Sequence, residues 1–306
     1  MRIQYCQIEG GNFGDDLNAL LWPSVFPDLS QRAMDTVFYG IGTILGGRHA
    51  GKQKKVVLGA GIGAHQATQS DLNWDYRWVR GPESARELGL SAELALGDPA
   101  LLWRELQPAN RSMGPVGLIP HYATWDSYDW QKVAADAGMV AINPRLPPAE
   151  VAAQLRDCGR VMAESLHGAI CADAMGIPWA ACLLAHRFNH FKWRDWLATI
   201  DRPRRQNLEP FVSDRPLVRH IHSAKAMANR LARSVNYLKE TRHPALRPVA
   251  AATPQDAHRV ADTLFQFSRD EDRFACSSPG HIVSQRARMV DACASFAADY
   301  GLRLAL

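Results

Sequence analysis

Two carboxylates in a glycine-rich loop and a histidine at the mouth of a helix are the residues of this chain best suited by type to move protons. Asp15 and Asp16 lie in Gly10-Gly11-Asn12-Phe13-Gly14-Asp15-Asp16-Leu17-Asn18, between an expected strand and an expected helix. Three glycines and four Asn or Asp residues make a poor packing segment and a good ligand loop. Capping the helix needs one carboxylate, so the pair points to a second role for the other. His167 sits in Glu164-Ser165-Leu166-His167-Gly168-Ala169, where an apolar strand over 160–163 turns into a helix running to about Met175. The start of that helix presents unpaired N–H groups and the positive end of its dipole, which suits an anion. An imidazole there can exchange a proton near neutral pH. A buried histidine bonded to a carbonyl is the structural alternative. Gly168 would let the backbone approach a ligand, and Gly176 with Pro178 ends the helix.

The elements that must position these residues read as β/α units. Strands are expected over 3–8, 36–39, 54–58 and 77–79, each running into a polar or Gly-rich turn: Gly40-Ile41-Gly42-Thr43, Gly59-Ala60-Gly61-Ile62-Gly63, and Arg80-Gly81-Pro82-Glu83-Ser84. Gly97-Asp98-Pro99-Ala100 closes this half, and 107–114 reads as a linker. A second series follows: strands over 116–119, ending in Pro120-His121-Tyr122, 139–142, ending in Asn143-Pro144-Arg145, 160–163 and 179–183, with helices over 129–137 and 147–155. The expected fold is α/β: two Rossmann-like domains, residues 1–112 and 113–250, facing across a cleft, with a C-terminal helical segment over 251–306. Ligands of such sheets sit beyond the carboxyl ends of the strands. Three-to-four-residue apolar spacing predicts helices near 223–241, 254–269 and 284–300.

Composition narrows the class. Hydrophobic residues make up 47% of 306, enough for two cores, and no run approaches the roughly 20 apolar residues of a membrane span. The N-terminal Met1-Arg2-Ile3-Gln4-Tyr5-Cys6 is not a long apolar leader, so the expected location is the cytoplasm. Six cysteines without a CxxC pair read as small core residues, and no cluster has metal-ligand spacing. Net charge is only +4, yet 187–247 holds 14 Lys or Arg against five acids. That segment suits phosphates, anionic sugars or an anionic lipid surface, with a solvated helix face over 225–239 as the alternative. The nearly balanced charge and the absence of a known module argue against nucleic acid. Gly59-x-Gly61-x-x-Ala64 matches a dinucleotide fingerprint loosely, but it follows the third strand and no acid-ended strand lies ~20 residues on. The segment from Phe188 to Trp196 is aromatic and basic by turns; it could stack a sugar and hold an anion through Lys192, or be a crossover helix with solvated Arg and Lys.

Taken in order, Asn12-Phe13-Gly14-Asp15, Gly40-Ile41-Gly42-Thr43, Gly59-Ala60-Gly61-Ile62-Gly63, Val79-Arg80-Gly81-Pro82-Glu83-Ser84, Gly97-Asp98-Pro99-Ala100, Ser165-Leu166-His167-Gly168-Ala169 and Gly176-Ile177-Pro178 resemble the polysaccharide pyruvyl transferase family. Glu164-Ser165-Leu166-His167-Gly168 and Phe191-Lys192-Trp193-Arg194-Asp195-Trp196 look most like the ketal pyruvyl transferases of xanthan- and succinoglycan-type exopolysaccharides. Many members carry Arg two residues before the helix histidine, where this chain has Ser165. Other cations, with Arg80, Arg145 and Lys192 as candidates, would then hold the donor.

The resemblance implies transfer of a pyruvyl group from phosphoenolpyruvate to two hydroxyls of a terminal sugar, giving a cyclic ketal and phosphate, without a cofactor or metal. It implies an architecture like the B-type glycosyltransferases and an acceptor carried on a lipid at the inner face of the plasma membrane. His167 with Asp15 or Asp16 would share the proton transfers. Donor contacts are expected from Arg80, His121, Arg145, Glu164, Ser165, Gly168 and Lys192, and acceptor contacts from Asn12, Gly42 and Gly61. A nucleotide-sugar glycosyltransferase of exopolysaccharide assembly, or a non-catalytic sugar- or lipid-binding subunit, would share the fold.

Overall fold

Short runs of β-branched and aromatic residues, each stopped by a turn, build two parallel sheets. The computed structural model describes residues 1–33, 35–45, 53–63, 73–106, 108, 113–184, 189–201, 211–212, 242–243 and 254–306. The expected first strand is two pieces: β1 (Arg2–Gln4) enters the first sheet, while β2 (Gln7–Ile8) pairs with Arg242–His243. With β3 (Thr36–Tyr39), β4 (Lys54–Leu58) and β5 (Trp74–Trp78), the first sheet has the order β1-β3-β4-β5, all parallel.

Helix α1 (Phe13–Val25) leads from the Gly-rich loop. It buries Phe13, Leu17, Leu21, Trp22 and Val25, the stripe expected for one helix face. Asn18 on that stripe is fully satisfied. Its Oδ1 accepts from Trp22 Nε1 at 3.0 Å and Ile41 N at 2.8 Å, and its Nδ2 donates to the carbonyls of Ile41 and Asp15 at 2.9 Å. A buried amide so bonded locks α1 to the loop after β3. Helix α2 (Pro82–Glu87) follows β5.

The second sheet takes β6 (Val116–Ile119), β7 (Val140–Ala141), β8 (Arg160–Ala163), β9 (Trp179–Leu183) and the strand Phe211–Val212. Its order is β7-β6-β8-β9, then 211–212. The connecting helices are α3 (Tyr122–Trp125), α4 (Trp130–Asp136), α5 (Pro148–Arg156) and α6 (Leu166–Ala174). The chain steps from β6 outward to β7, then back past β6 to β8. This reversal between β6 and β8 is the switch point beyond which ligands of open parallel sheets bind.

Helix α7 (His190–Leu197) comes after β9. The last two helices go to different sheets. The first, α8 (Pro254–Ser268), packs Val260, Ala261 and Leu264 against Trp130 and Val133 of α4. The second, α9 (Pro279–Tyr300), returns to the first sheet and sets Phe296 on Phe26 and Phe38. It starts five residues before the apolar periodicity does, because Ser278 caps it through His281 N and Pro279 occupies its first turn. One apolar cluster joins Trp22, Phe38 and Trp78 of the first half, Ile119, Val161 and Trp179 of the second, and Phe296 of α9. Gly46, Gly47, Ala64, most of the expected linker, the stretch 185–188 and the basic helix over 223–241 lie outside the described residues.

Candidate active site

The loop after β8 lies at the switch point and is held by its own acid. Buried Glu164 accepts from His121 N at 2.9 Å and Leu184 N at 3.2 Å, while the amides of Glu164 and Ser165 donate to Ile119 O at 3.0 and 3.3 Å. The loops after β6, β8 and β9 are thereby tied together. Both Glu164 oxygens are engaged by backbone amides, and a carboxylate there would repel an anionic donor, so Glu164 acts as a bracket for His121. Ser165 caps α6 through Gly168 N at 3.3 Å. Gly168 is needed for packing: a β-carbon there would stand 2.6 Å from Ile119 Cγ2.

His167, in the first turn of α6, crosses to the first half of the chain. It packs against Gly14 of α1, where any β-carbon would collide with its Nδ1 and Cγ. Its Nε2 is 3.7 Å from Asp98 Oδ2. Asp98 begins a 3-10 turn over Pro99–Leu102, and its Oδ1 accepts from Ala100 N at 3.0 Å. Neighbouring His121 caps α3, its Nδ1 accepting from Ala123 N at 3.3 Å. That bond puts the hydrogen of the neutral ring on Nε2.

Asp15 and Asp16, expected in a loop, lie in the first turn of α1, which already starts at Phe13, and they separate into two roles. Asp16 reaches back to the amide of Asn12, the residue preceding α1, at 3.0 Å. It satisfies the N-cap amide from one position beyond the usual capping-box acid. Asp15 turns toward the loop after β3. Its Oδ2 accepts from Asn12 Nδ2 at 2.6 Å, and a β-carbon on Gly42 would lie 2.9 Å from its Oδ1. Gly42 also has φ +124, which few residues besides glycine adopt. Gly42 therefore seats Asp15, and Gly61 similarly seats Arg80, whose guanidinium carbon would be 2.6 Å from an added β-carbon.

Arg80 is 1% exposed and engaged on every side. It donates to Asp195 of α7 at 3.0 Å, to Thr43 Oγ1 at 2.9 Å and to Ile62 O at 2.8 Å. Asp195 also accepts from Ser84 N at 2.8 Å and Ser84 Oγ at 2.6 Å. Helix α7, which follows the second sheet in sequence, is thus docked on the first half by a buried ion pair. Lys192 lies one turn before Asp195 on the same helical face. Its neighbours Trp193 and Trp196 are buried with Trp179, so these rings fill the core and present no sugar platform. Arg145 spans the halves: it pairs with Asp126 at 2.6 Å and donates to Glu9 O at 3.2 Å, while the adjacent Pro144 O accepts from Phe13 N at 3.0 Å.

Electrostatics separates these groups by role. Burial pushes Asp15 up to about 7; Lys192 opposes the shift, and Asp16 and Asp98 add to it. Burial likewise raises Asp98 to about 6, against the Ala100 amide and Arg80. His167 falls to about 3, through burial and then the charges of Lys192 and Arg80. His121 falls well below the usual imidazole range through burial, Lys192, His167 and Arg145. Lys192 itself drops to about 8, through burial and Arg80, with Asp15 and Glu164 holding it up. At neutral pH the site combines a carboxyl that burial keeps partly protonated, a neutral imidazole and an ammonium beside them. Separated acid and base strengths in one pocket are the mark of proton-transfer chemistry. Among the described residues no group of three or more His, Cys, Asp or Glu is arranged to hold a metal ion.

The model of the polysaccharide pyruvyl transferase family matches residues 12–184, more than half of the chain. The chain belongs to this family. It is a transferase, and its family match begins at Asn12 of the site and ends at Leu184, whose amide Glu164 accepts. It is also 35% identical over 215 residues to "Succinoglycan biosynthesis protein ExoV" of Rhizobium meliloti (strain 1021), covering 67% of each chain. No solved structure matches it.

Of the residues expected at the site of this pyruvyl transferase, the structure brings together Asn12, Asp15, His121, His167 and Lys192. It shows Arg80, Glu164, Gly168, Gly42 and Gly61 supporting their neighbours. Asp98, Asp195, Gly14 and Thr43 were not among the expected site residues. For Asp98 a signal existed, the Gly97-Asp98-Pro99-Ala100 motif, but an Asp before a Pro reads first as a cap. For Asp195 the signal lies in its partner, 115 residues away. Arg80→Ala is expected to lower stability by about 3–5 kcal/mol, since it strands a buried carboxylate. A wild-type denaturant midpoint combined with a raised donor KM would return Arg80 to direct donor contact.

Proposed function

We propose that the chain transfers the pyruvyl group of phosphoenolpyruvate to two hydroxyls of the terminal sugar of an exopolysaccharide repeat unit, forming a cyclic ketal and releasing phosphate. The single observation that carries this reading is the meeting of the first turns of α1 and α6, where His167 packs on Gly14, with burial raising Asp15 and lowering His167 close to Lys192. The donor bears a carboxylate and a phosphate, and it enters a field set by Lys192, the Nε2–H of His121 and the start of α6. Arg80 and Arg145 contribute charge from behind. Asn12 and the loops of Gly42 and Gly61 border the acceptor, in a cleft between two Rossmann-like halves arranged as in B-type glycosyltransferases.

The reaction needs a proton on C3 of the donor and the removal of two hydroxyl protons. Protonated Asp15 gives its proton to C3, which makes C2 electrophilic. Neutral His167 takes the proton of the first hydroxyl as its oxygen bonds to C2. Phosphate then leaves with the proton held by His167. The second hydroxyl closes the ring at C2 and returns a proton to Asp15, so both groups end as they began. Incubation with phosphoenolpyruvate and a lipid-linked oligosaccharide should yield phosphate and an acceptor heavier by a pyruvyl ketal. Release of UDP or GDP from a nucleotide sugar, with phosphoenolpyruvate untouched, would make the chain a glycosyltransferase. Acceptor binding without consumption of either donor would make it a binding subunit.

The lipid-linked acceptor puts the enzyme at the inner face of the plasma membrane as a peripheral protein. No helix among the described residues is long and apolar enough to cross a membrane. The basic residues of 187–247 other than the site's Lys192 support contact with anionic lipid, at about 1 kcal/mol for each that reaches the surface and screened by salt. Co-sedimentation with anionic vesicles should fall as salt rises; binding indifferent to salt and lipid charge would remove the membrane from this account.

A further inference from the structure

Asp98 stands behind His167 in a position that the proton transfers so far described do not use. It is 1% exposed, and one of its oxygens is spent on Ala100 N. The other points across the junction of the two halves, 3.7 Å from Nε2 of His167. That nitrogen is shut off from solvent and has no hydrogen-bond partner. The ring cannot turn away easily, because Gly14 supports its other side so closely that no β-carbon would fit.

We propose that Asp98 is the positioning residue of this site, fixing the tautomer of His167 and steadying the imidazolium that forms when the ring takes a proton. The inference rests on the reading of His167 as the base. A carboxylate only accepts hydrogen bonds, so the nitrogen facing it carries the hydrogen. Nε2 is then protonated, and Nδ1 is left with the lone pair that receives the hydroxyl proton. A separation of 3.7 Å is longer than a hydrogen bond, and catalytic contacts of this kind are commonly long before substrate is bound. As the ring becomes positive, attraction to Asp98 in a buried setting grows and draws the two together. Lys192 and Arg80 act on His167 in the opposite sense, and Arg80 and Asp15 are the charged groups acting on Asp98. A negative partner aimed at Nε2 is therefore what allows His167 to hold a proton beside two cations.

Asp98→Asn keeps the shape and the cap on Ala100 while removing the charge. Its kcat should fall about 10²- to 10⁴-fold, as losing the carboxylate behind a catalytic histidine does elsewhere, with donor KM changed by less than about threefold. Combined with His167→Ala, it should add almost nothing to the loss from His167→Ala alone, because the two residues act as one unit. Nitrogen-15 NMR of the unaltered protein, with its histidines labelled, should find His167 in the Nε2–H form. An Nδ1–H ring would overturn the proposal, and so would an Asp98→Asn enzyme of near-normal kcat when His167→Ala is inactive. If His167→Ala itself turns over normally, the proposal and the reading of His167 as base fail together.

Discussion

His167→Ala is expected to lower ketal formation about 10²- to 10⁴-fold, the range for loss of a positioned base, while the protein stays folded. The side chain is 14% exposed and belongs to the first turn of α6, so its removal opens a small gap beside Gly14 rather than a hole in the core. A stability loss of about 1 kcal/mol is the ordinary outcome for such a site. The contrast between a large loss of rate and a small loss of stability is what separates a proton acceptor from a packed histidine. Turnover within a few-fold of wild type, in a variant with a normal melting temperature, would make His167 a structural residue.

Asp15→Asn is expected to cost a similar 10²- to about 10⁴-fold in rate and to change the pH profile. In the free enzyme Asp15 must be protonated and Lys192 charged. The profile of kcat/KM should therefore fall as pH rises through about 7, where Asp15 ionises, and again through about 8, where Lys192 loses its proton. The variant should keep only the second limb. Stability should move the other way. The carboxyl of Asp15 is raised from 3.8 to about 7, so the folded state binds its proton more tightly than the unfolded chain does. Its contribution to stability is full below about pH 4 and declines as pH rises through 7. Asp15→Asn removes that decline and should leave the protein at least as stable as wild type at pH 8, a gain in stability at the expense of function. Asp16→Asn is the control: it weakens the bond to Asn12 N, costing about 1 kcal/mol, with little effect on rate. Equal, small rate effects from both substitutions would remove the loop from the mechanism.

What could be read in the chain was local. The strands over 36–39, 54–58, 116–119, 160–163 and 179–183 stand where the apolar runs put them, because a strand and its stop signal lie within a few residues of each other. The loop of Asp15 and Asp16 declared itself by composition, but which acid caps α1 depends on geometry that both share in sequence. The glycines announced close approaches without naming the visitor. At Gly14, Gly42 and Gly61 it is a side chain of the protein itself: His167, Asp15 and Arg80. Arg80 and Asp195 could be paired only once α7 was known to cross to the first half, since no periodicity links residues so far apart. The alternating Trp and basic residues of α7 fit a sugar platform and a buried crossover helix equally well, and the core formed with Trp179 decides for the helix. The split of 3–8 into β1 and β2 arises because the second piece finds its partner in 242–243, a contact no nearby residue foretells.

In the proposed reaction a protein acid protonates C3 of the donor while two sugar hydroxyls add to C2. This is tested most directly by running the reaction in deuterium oxide and reading the product by NMR and mass. The expected product has a ketal carbon bonded to two sugar oxygens, with deuterium in its methyl group delivered by an exchanged Asp15. A methyl group free of deuterium, or a product that keeps the donor double bond as an enol ether on one hydroxyl, would contradict the proposed reaction.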